Sequence, residues 1–281
     1  RKPPFNDLKV RKAIFHLLDR KTLLEKLMFN QYSPLRSYWP AINYNPVNNP
    51  LVEYDPVKAK ELLAEAGYKK LDQEGYLVNE KGQRLEFTIL YVSQGLERHF
   101  TVFAEDCKKV GVKVNLELTS WATLLKKAEE FNFEAMSMAW SATLFDDPEQ
   151  LWHSRHASEP GASNLPGYKN EEVDKLIDSM APIFDAQKRN EIIKKIDSII
   201  YQDVPYILTW GAGYHRLYYK NRFGMPKTIL SRVGDYSDIL VYWWYDPAKD
   251  KALKEAEKKN KPLPEEPVEV YYDEEQKSDS K

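Results

Sequence analysis

The 281-residue chain has a single cysteine, Cys107, so no disulfide can form within it and no cysteine-cluster zinc site can be built. Large domains do not need such staples, so an exported protein stays open. No run of about 18 apolar residues occurs, which excludes a membrane-spanning helix. Neither charge is in excess. Lys+Arg is 41 against 43 Asp+Glu, net −2, a balance unsuited to coating nucleic acid or an anionic membrane. A phosphate-cradling loop is missing too, because Gly211-Ala212-Gly213 lacks the following helix and lysine. The opening, Arg1-Lys2-Pro3-Pro4-Phe5, has no initiator Met and no leader pattern, so the expectation is a chain cut from something longer.

What is present is a globular balance, 42% hydrophobic and 30% charged, enough for one large domain or two ordinary ones. Aromatic content is 13%, with seven Trp and eighteen Tyr. Aromatics mostly fill cores, but this surplus also suits a wide cleft lined by flat apolar faces.

Helical spacing of Val10, Ala13, Ile14 and Leu17 after Asn6-Asp7 predicts a first helix, and Asp19 caps a second with Leu23, Leu24, Leu27 and Met28. Residues 31–52, rich in proline and asparagine, read as irregular. Asp55-Pro56 starts a helix that stops at Gly67. Residues 76–78 and 85–92 read as a hairpin. Residues 85–92, the stripe Phe100, Phe103, Cys107 and Val110, and the alternation Val112, Val114, Leu116 and Leu118 form strand, helix and strand, a βαβ unit. Ser120 caps a further helix, and residues 133–140 read as another strand, giving an α/β arrangement. After Trp140 comes a long irregular stretch, the kind of place where such folds hold ligands. Two helices follow, around 173–180 and 192–200, then strands at 206–210 and 214–219. Residues 246–281 hold eight Lys and eleven Asp or Glu, with a short helix near 248–259 and a solvated tail beyond.

Among chemistry-bearing residues, Asp146-Asp147 invites a paired-carboxylate reading, as in a glycoside hydrolase, but adjacent residues in extended chain point apart. A capping role before Pro148 is the simpler reading. His153 and His156 lack a third ligand, so no metal site is expected, and no cofactor. Cys107 lies on an apolar helix stripe and reads as core. The aromatic-polar clusters Arg36-Ser37-Tyr38-Trp39-Pro40 and Trp140 to Thr143 are the better binding material.

Three ordered segments carry a resemblance. Pro4-Phe5-Asn6-Asp7-Leu8-Lys9-Val10-Arg11-Lys12-Ala13-Ile14 with Leu18-Asp19-Arg20 comes first. Leu151-Trp152-His153-Ser154, Ser163-Asn164 and the run Gly167 to Ile177 come second. The helix of 187–201 ending in Asp203-Val204-Pro205 comes third. They resemble the family 5 extracellular solute-binding proteins, the peptide- and oligopeptide-binding components of ABC importers. Arg36 to Pro40 and Trp243-Trp244-Tyr245-Asp246 look closest to the YejA-type subgroup.

The resemblance implies a type II periplasmic-binding-protein lobe with a mixed sheet flanked by helices, lacking the family's N-terminal half. It divides the chain into a ligand-binding lobe (1–203), strands returning to the other lobe (204–245) and a charged tail (246–281). It implies capture rather than catalysis, in the periplasm or elsewhere outside the cytoplasmic membrane, with a peptide ligand and a membrane permease as partners. Arg36 would meet a carboxylate, Tyr38, Trp39 and Trp140 would wall the ligand with Thr143 beside them, and Asp146 or Asp147 would meet an amine. Many peptide-binding members place an Asp shortly after the strand-end Trp, and here Thr143 stands three residues on. An oligosaccharide carrier, a glycoside hydrolase and a protein-interaction module whose charged tail does the work are the rival readings.

Overall fold

Local signals place the first helices where the spacing predicts them. The computed structural model describes residues 2–40, 49–140, 147–226, 237 and 239–267. Helix α1 (Leu8–His16) starts where the Asp7 carboxylate accepts the Lys9 amide, and it buries Val10, Ala13 and Ile14. Helix α2 (Arg20–Thr22) is capped by Asp19 and runs into a π-turn, Leu23–Leu27. Strand β1 is Ser33–Pro34. Helix α3 (Pro56–Glu65) has Asp55 as cap and Pro in its first turn, and it packs on α1.

Strands β2 (Lys70–Leu71) and β3 (Leu77–Val78) form an antiparallel hairpin, and Val78 bridges back to Arg84. The expected hairpin of 76–78 with 85–92 is therefore reduced to that bridge. Residues 86–91 are used elsewhere, as strand β4 (Glu86–Tyr91), which is followed by helix α4 (Glu97–Lys109) and strand β5 (Lys113–Leu118). Strands β4 and β5 are parallel from Glu86↔Lys113 to Tyr91↔Leu118, the βαβ unit that the two periodicities predict. Between α4 and β5, Gly111 sits at φ +87, and a Cβ there would crowd Leu71 and Leu77 at 3.1 Å. Helix α5 (Trp121–Glu129) starts where Ser120 accepts the Thr123 amide. Strand β6 (Ala135–Met136) lies on the other side of β4, also parallel, and it is shorter than the 133–140 strand expected.

Helix α6 (Glu149–Trp152) is a single turn, α7 (Glu171–Met180) is capped by Asn170, and α8 (Ala186–Asp203) is capped by Asp185. Of the strands expected at 206–210 and 214–219, the structure forms the two-residue β7 (Trp210–Gly211), which pairs with β1, and 214–219 is not a strand. The carbonyls along 206–209 explain the change. Tyr206 accepts the Tyr38 hydroxyl, Leu208 accepts Arg20, and Thr209 accepts the Leu35 amide. These bonds tie the segment to residues 20–38.

Contacts divide the chain into two compact units, one of residues 1–141 and 147–212, the other of 142–146 and 213–281. The first has one core where β4, α4, α1 and α3 meet (Phe87, Ile89, Cys107, Ile14, Leu63). A second core gathers Trp39, Trp152 and Tyr168 against α7 and α8. In the second unit, β8 (Phe223–Gly224) pairs antiparallel with β9 (Trp244–Tyr245), just after the short helix α9 (Ile239–Tyr242). Helix α10 (Pro247–Lys259) is capped by Asp246 and occupies the start of the segment expected as a charged tail. Its buried Asp250 accepts the Tyr245 hydroxyl at 2.8 Å and pairs with Lys254 at 2.6 Å.

Candidate functional site

Because β4, β5 and β6 all run the same way, their carboxyl ends share one edge of the sheet. In open α/β sheets that edge is where ligands lie, outside the strand ends and beside the point where connections reverse direction. The order β5-β4-β6 puts that reversal at β4, since the chain leaves it on one side and returns on the other.

The edge is unusually apolar for a surface. Leu118 ends β5 half exposed, Trp121 opens α5 at 53% exposed, and Trp140 follows β6 at 52% exposed. Two indoles left half in water at one sheet edge are apolar surface that no described residue covers fully. Strands β5 and β6 are the two neighbours of β4, so their ends stand about 10 Å apart, twice the strand spacing. Below them the ladder is closed by Thr119 donating to the Tyr91 carbonyl and Ser137 to that of Leu90. Beyond β4, Gln94, Gly95, Glu97, Arg98 and Thr101 frame a shallow depression over the start of α4. On the inner face of that helix His99 is buried against the Trp210 ring at 5.6 Å, and burial, together with Arg98, holds its pKa below the ordinary value.

Of the residues expected at the site, Trp140 is at this edge. Asp147 is exposed, and its carboxylate accepts the Glu149 amide at 3.1 Å, which starts α6. Arg36 is exposed, with its carbonyl accepting Asn49 Nδ2 at 3.0 Å. Thr143 and Asp146 lie outside the described residues. Tyr38 and Trp39 pack into the aromatic core instead of lying at this edge. Trp39 is 6% exposed and packed on Trp152, with ring centroids 6.2 Å apart. Tyr38 stacks edge-on to Trp152 at 5.0 Å, and its hydroxyl donates to the Tyr206 carbonyl. Both are wall residues of the core, because the partner that covers them comes from a segment more than a hundred residues away. His153 and His156 form no metal-holding group among the described residues.

Beneath this aromatic cluster lies Asp197, fully buried on α8. One oxygen accepts the Tyr38 amide at 3.0 Å, and the other has no protein partner. Burial raises its pKa, with the Tyr38 amide and Ser37 hydroxyl opposing. A carboxyl with a raised folded pKa holds its proton more tightly when folded, so its contribution to stability is greatest below the ordinary carboxylate pKa and falls as pH rises through the folded one. Asp197→Asn is therefore expected to flatten the decline in thermal midpoint between mildly acid and neutral pH. Parallel melting curves for the two proteins across that range would contradict this.

Sequence reasoning missed Trp121. It stands at i−3 from the buried Leu124, so helical periodicity assigns it to the inner face. The available signal was its place directly after a strand end and the Ser120 cap.

Residues 1–162 match the family model for bacterial extracellular solute-binding proteins, family 5, middle region. The chain belongs to this family. It is 31% identical over 238 residues to the oligopeptide-binding protein AppA of Bacillus subtilis, covering 80% of this chain and 41% of that one. The AppA structure in complex with a nonapeptide superposes with a TM-score of 0.69 at 30% identity, over 75% of this chain and 43% of that one. A probable peptide-binding protein YejA of Agrobacterium fabrum is 24% identical over 87% of this chain and 45% of its own length. The family 5 chain thus spans about two-fifths of the length of the curated relatives it matches. Its helix-covered parallel strands are those of a type II periplasmic-binding-protein lobe.

Proposed function

We propose that this chain supplies a ligand-binding wall of the substrate-binding component of an ABC importer. The component takes up peptides outside the cytoplasmic membrane and hands them unaltered to a membrane permease. The observation that carries the reading is the pair of half-exposed indoles, Trp121 and Trp140, at the carboxyl edge of the parallel sheet. Flat apolar faces just past the ends of two strands that flank a common neighbour suit the side chains of an extended peptide, which alternate along its length. Arg36 would meet a carboxylate. Asp147, which keeps one carboxylate oxygen clear of its capping bond, would meet an amine, with Thr143 and Asp146 beside it in sequence. Peptide binding to AppA, named for oligopeptides and solved with a nonapeptide, supports the choice of ligand.

Capture rather than turnover is the reading that membership of the solute-binding family supports. A ligand stabilises the closed form of a two-lobed protein only through contacts it makes better there, and it leaves unaltered when the lobes part. Exposed indoles also suit sugar rings, so the deciding experiment sets the two against each other. Tryptophan fluorescence is followed while mixed tri- to nonapeptides, and separately oligosaccharides, are added to the protein as its cell makes it. A saturable change with peptides alone is the expected result, and a change with sugars alone overturns the peptide assignment.

A further inference from the structure

The start of α4 is held differently from the other long helices of the first unit. Helices α1, α3, α5, α7 and α8 each begin with a side chain that accepts a first-turn amide, those of Asp7, Asp55, Ser120, Asn170 and Asp185. Helix α4 has no capping side chain and follows directly on a 3-10 turn, Gln94–Leu96. From Val92 to Arg98 every residue is exposed except Leu96, which is partly covered. His99 is the first buried side chain of the helix, so its ring seats this turn on the protein. The surface it meets is Trp210, fixed in place by the pairing of β7 with β1. Arg98 adds an outer tie, to the Leu27 carbonyl at 3.3 Å.

Both nitrogens of the His99 ring are sealed from solvent, and neither has a hydrogen-bond partner among the described residues. A neutral imidazole leaves one N–H donor unpaired there, whereas an imidazolium would leave two and a buried charge. The Trp210 face attracts a cation, but the rings are tilted by 43° and the attraction is smaller than the hydration lost. Arg98, next to it on the helix, repels a proton, and the backbone of Gly95 and Leu96 favours one more weakly. The positive end of the α4 dipole lies at the same turn. Of the other titratable groups nearby, Glu97 is exposed, Tyr91 on β4 lies against Phe100, and Glu117 on β5 pairs with Lys127.

We propose that His99 is an acid-released latch: neutral, it seats the start of α4 on Trp210, and in acid it takes a proton only by swinging out to water, which frees the first turn of the helix. The closed turn binds no proton at this ring and the open turn binds one, so opening grows as pH falls. This turn borders the depression at the carboxyl edge, so a peptide held there, as proposed, loses one border in acid.

The test is amide hydrogen exchange read by mass spectrometry on the protein as its cell makes it, at about pH 7 and about pH 5, corrected for the intrinsic pH dependence of exchange. The amides to follow are those of Thr101, Val102 and Phe103, whose helical bonds run to first-turn carbonyls. Their protection is expected to fall about tenfold at the lower pH, the ratio for one proton taken up by the open turn alone at an ordinary histidine pKa, with α5 unchanged. His99→Phe keeps a flat ring on Trp210 and cannot titrate, so it is expected to abolish the fall, and the smaller neutral His99→Gln to do the same. Equal protection at both pH values in the parent protein, or a fall that persists in a folded variant, overturns the proposal. No peptide takes part in the readout, so its outcome is independent of the peptide assignment.

Discussion

Alanine at Arg20 is expected to destabilise the first unit by about 3–5 kcal/mol, the range for removing a buried charged donor that serves several acceptors. The guanidinium is buried, and burial lowers its pKa from the ordinary value. It faces no carboxylate in the described structure. Three backbone carbonyls hold it instead, those of Leu35 at 2.7 Å, Leu208 at 3.0 Å and Val52 at 2.5 Å, and it lies over the Phe15 ring at 4.9 Å. These carbonyls belong to three segments far apart in sequence, so one side chain sets the spacing of the Arg36 loop, the 50–55 segment and the approach to β7. Removing it strands three acceptors whose alternatives to water are poor. Lysine keeps the charge but not the fork, so Arg20→Lys is expected to lose roughly half as much. Urea titration followed by far-ultraviolet circular dichroism reads both values. A loss under about 1 kcal/mol for Arg20→Ala would show that the carbonyls find other donors.

The second large effect is on binding. Truncating Trp121 or Trp140 to alanine is expected to weaken peptide capture by about 10- to 30-fold each, the range for an aromatic anchor half covered by ligand. The two indoles follow strands on opposite sides of β4, so their effects are expected to add and the double variant to lose several hundredfold, about 3–4 kcal/mol. Stability is expected to move by only a few tenths of a kcal/mol, because both side chains are about half in water before the change. That contrast separates a binding role from a structural one. Trp152, buried among Tyr38, Trp39, Tyr168 and Tyr206, would behave in the opposite way. Calorimetry on the double variant giving the parent's affinity would remove the indoles from the site.

Much of the fold was legible because its signals are local. Asp7, Asp19, Asp55 and Ser120 start helices by accepting amides a few residues on, which is chemistry that a short window contains. The βαβ unit was legible because the side-chain period changes from two to 3.6 and back within residues 85–118. What escaped depends on distance. The β1–β7 pair joins two residues with two others well over a hundred positions away, and β2 is a two-residue exposed strand with no period to detect. Residues 206–210 and 214–219 look like strands in sequence, yet a strand needs a neighbour, and in this stretch it is 210–211 that finds one, at 33–34.

The candidate site was partly legible for the same reason. Trp140 and Trp39 have similar local surroundings in sequence, each an indole beside polar residues in an irregular segment. One remains half exposed at a strand end, while the other is sealed by Trp152. Nothing within a few residues of either separates them. The family resemblance, by contrast, rests on ordered motifs spread along the chain, and the family model matches residues 1–162.

The central claim is that this protein holds a peptide and releases it unchanged. Isothermal calorimetry of the protein as its cell makes it, with a defined peptide pool and mass analysis of the pool afterwards, tests that directly. The account predicts saturable heat with at least one peptide and full recovery of that peptide at its starting mass. Absence of heat with every peptide, or recovery of cleaved products, would contradict it.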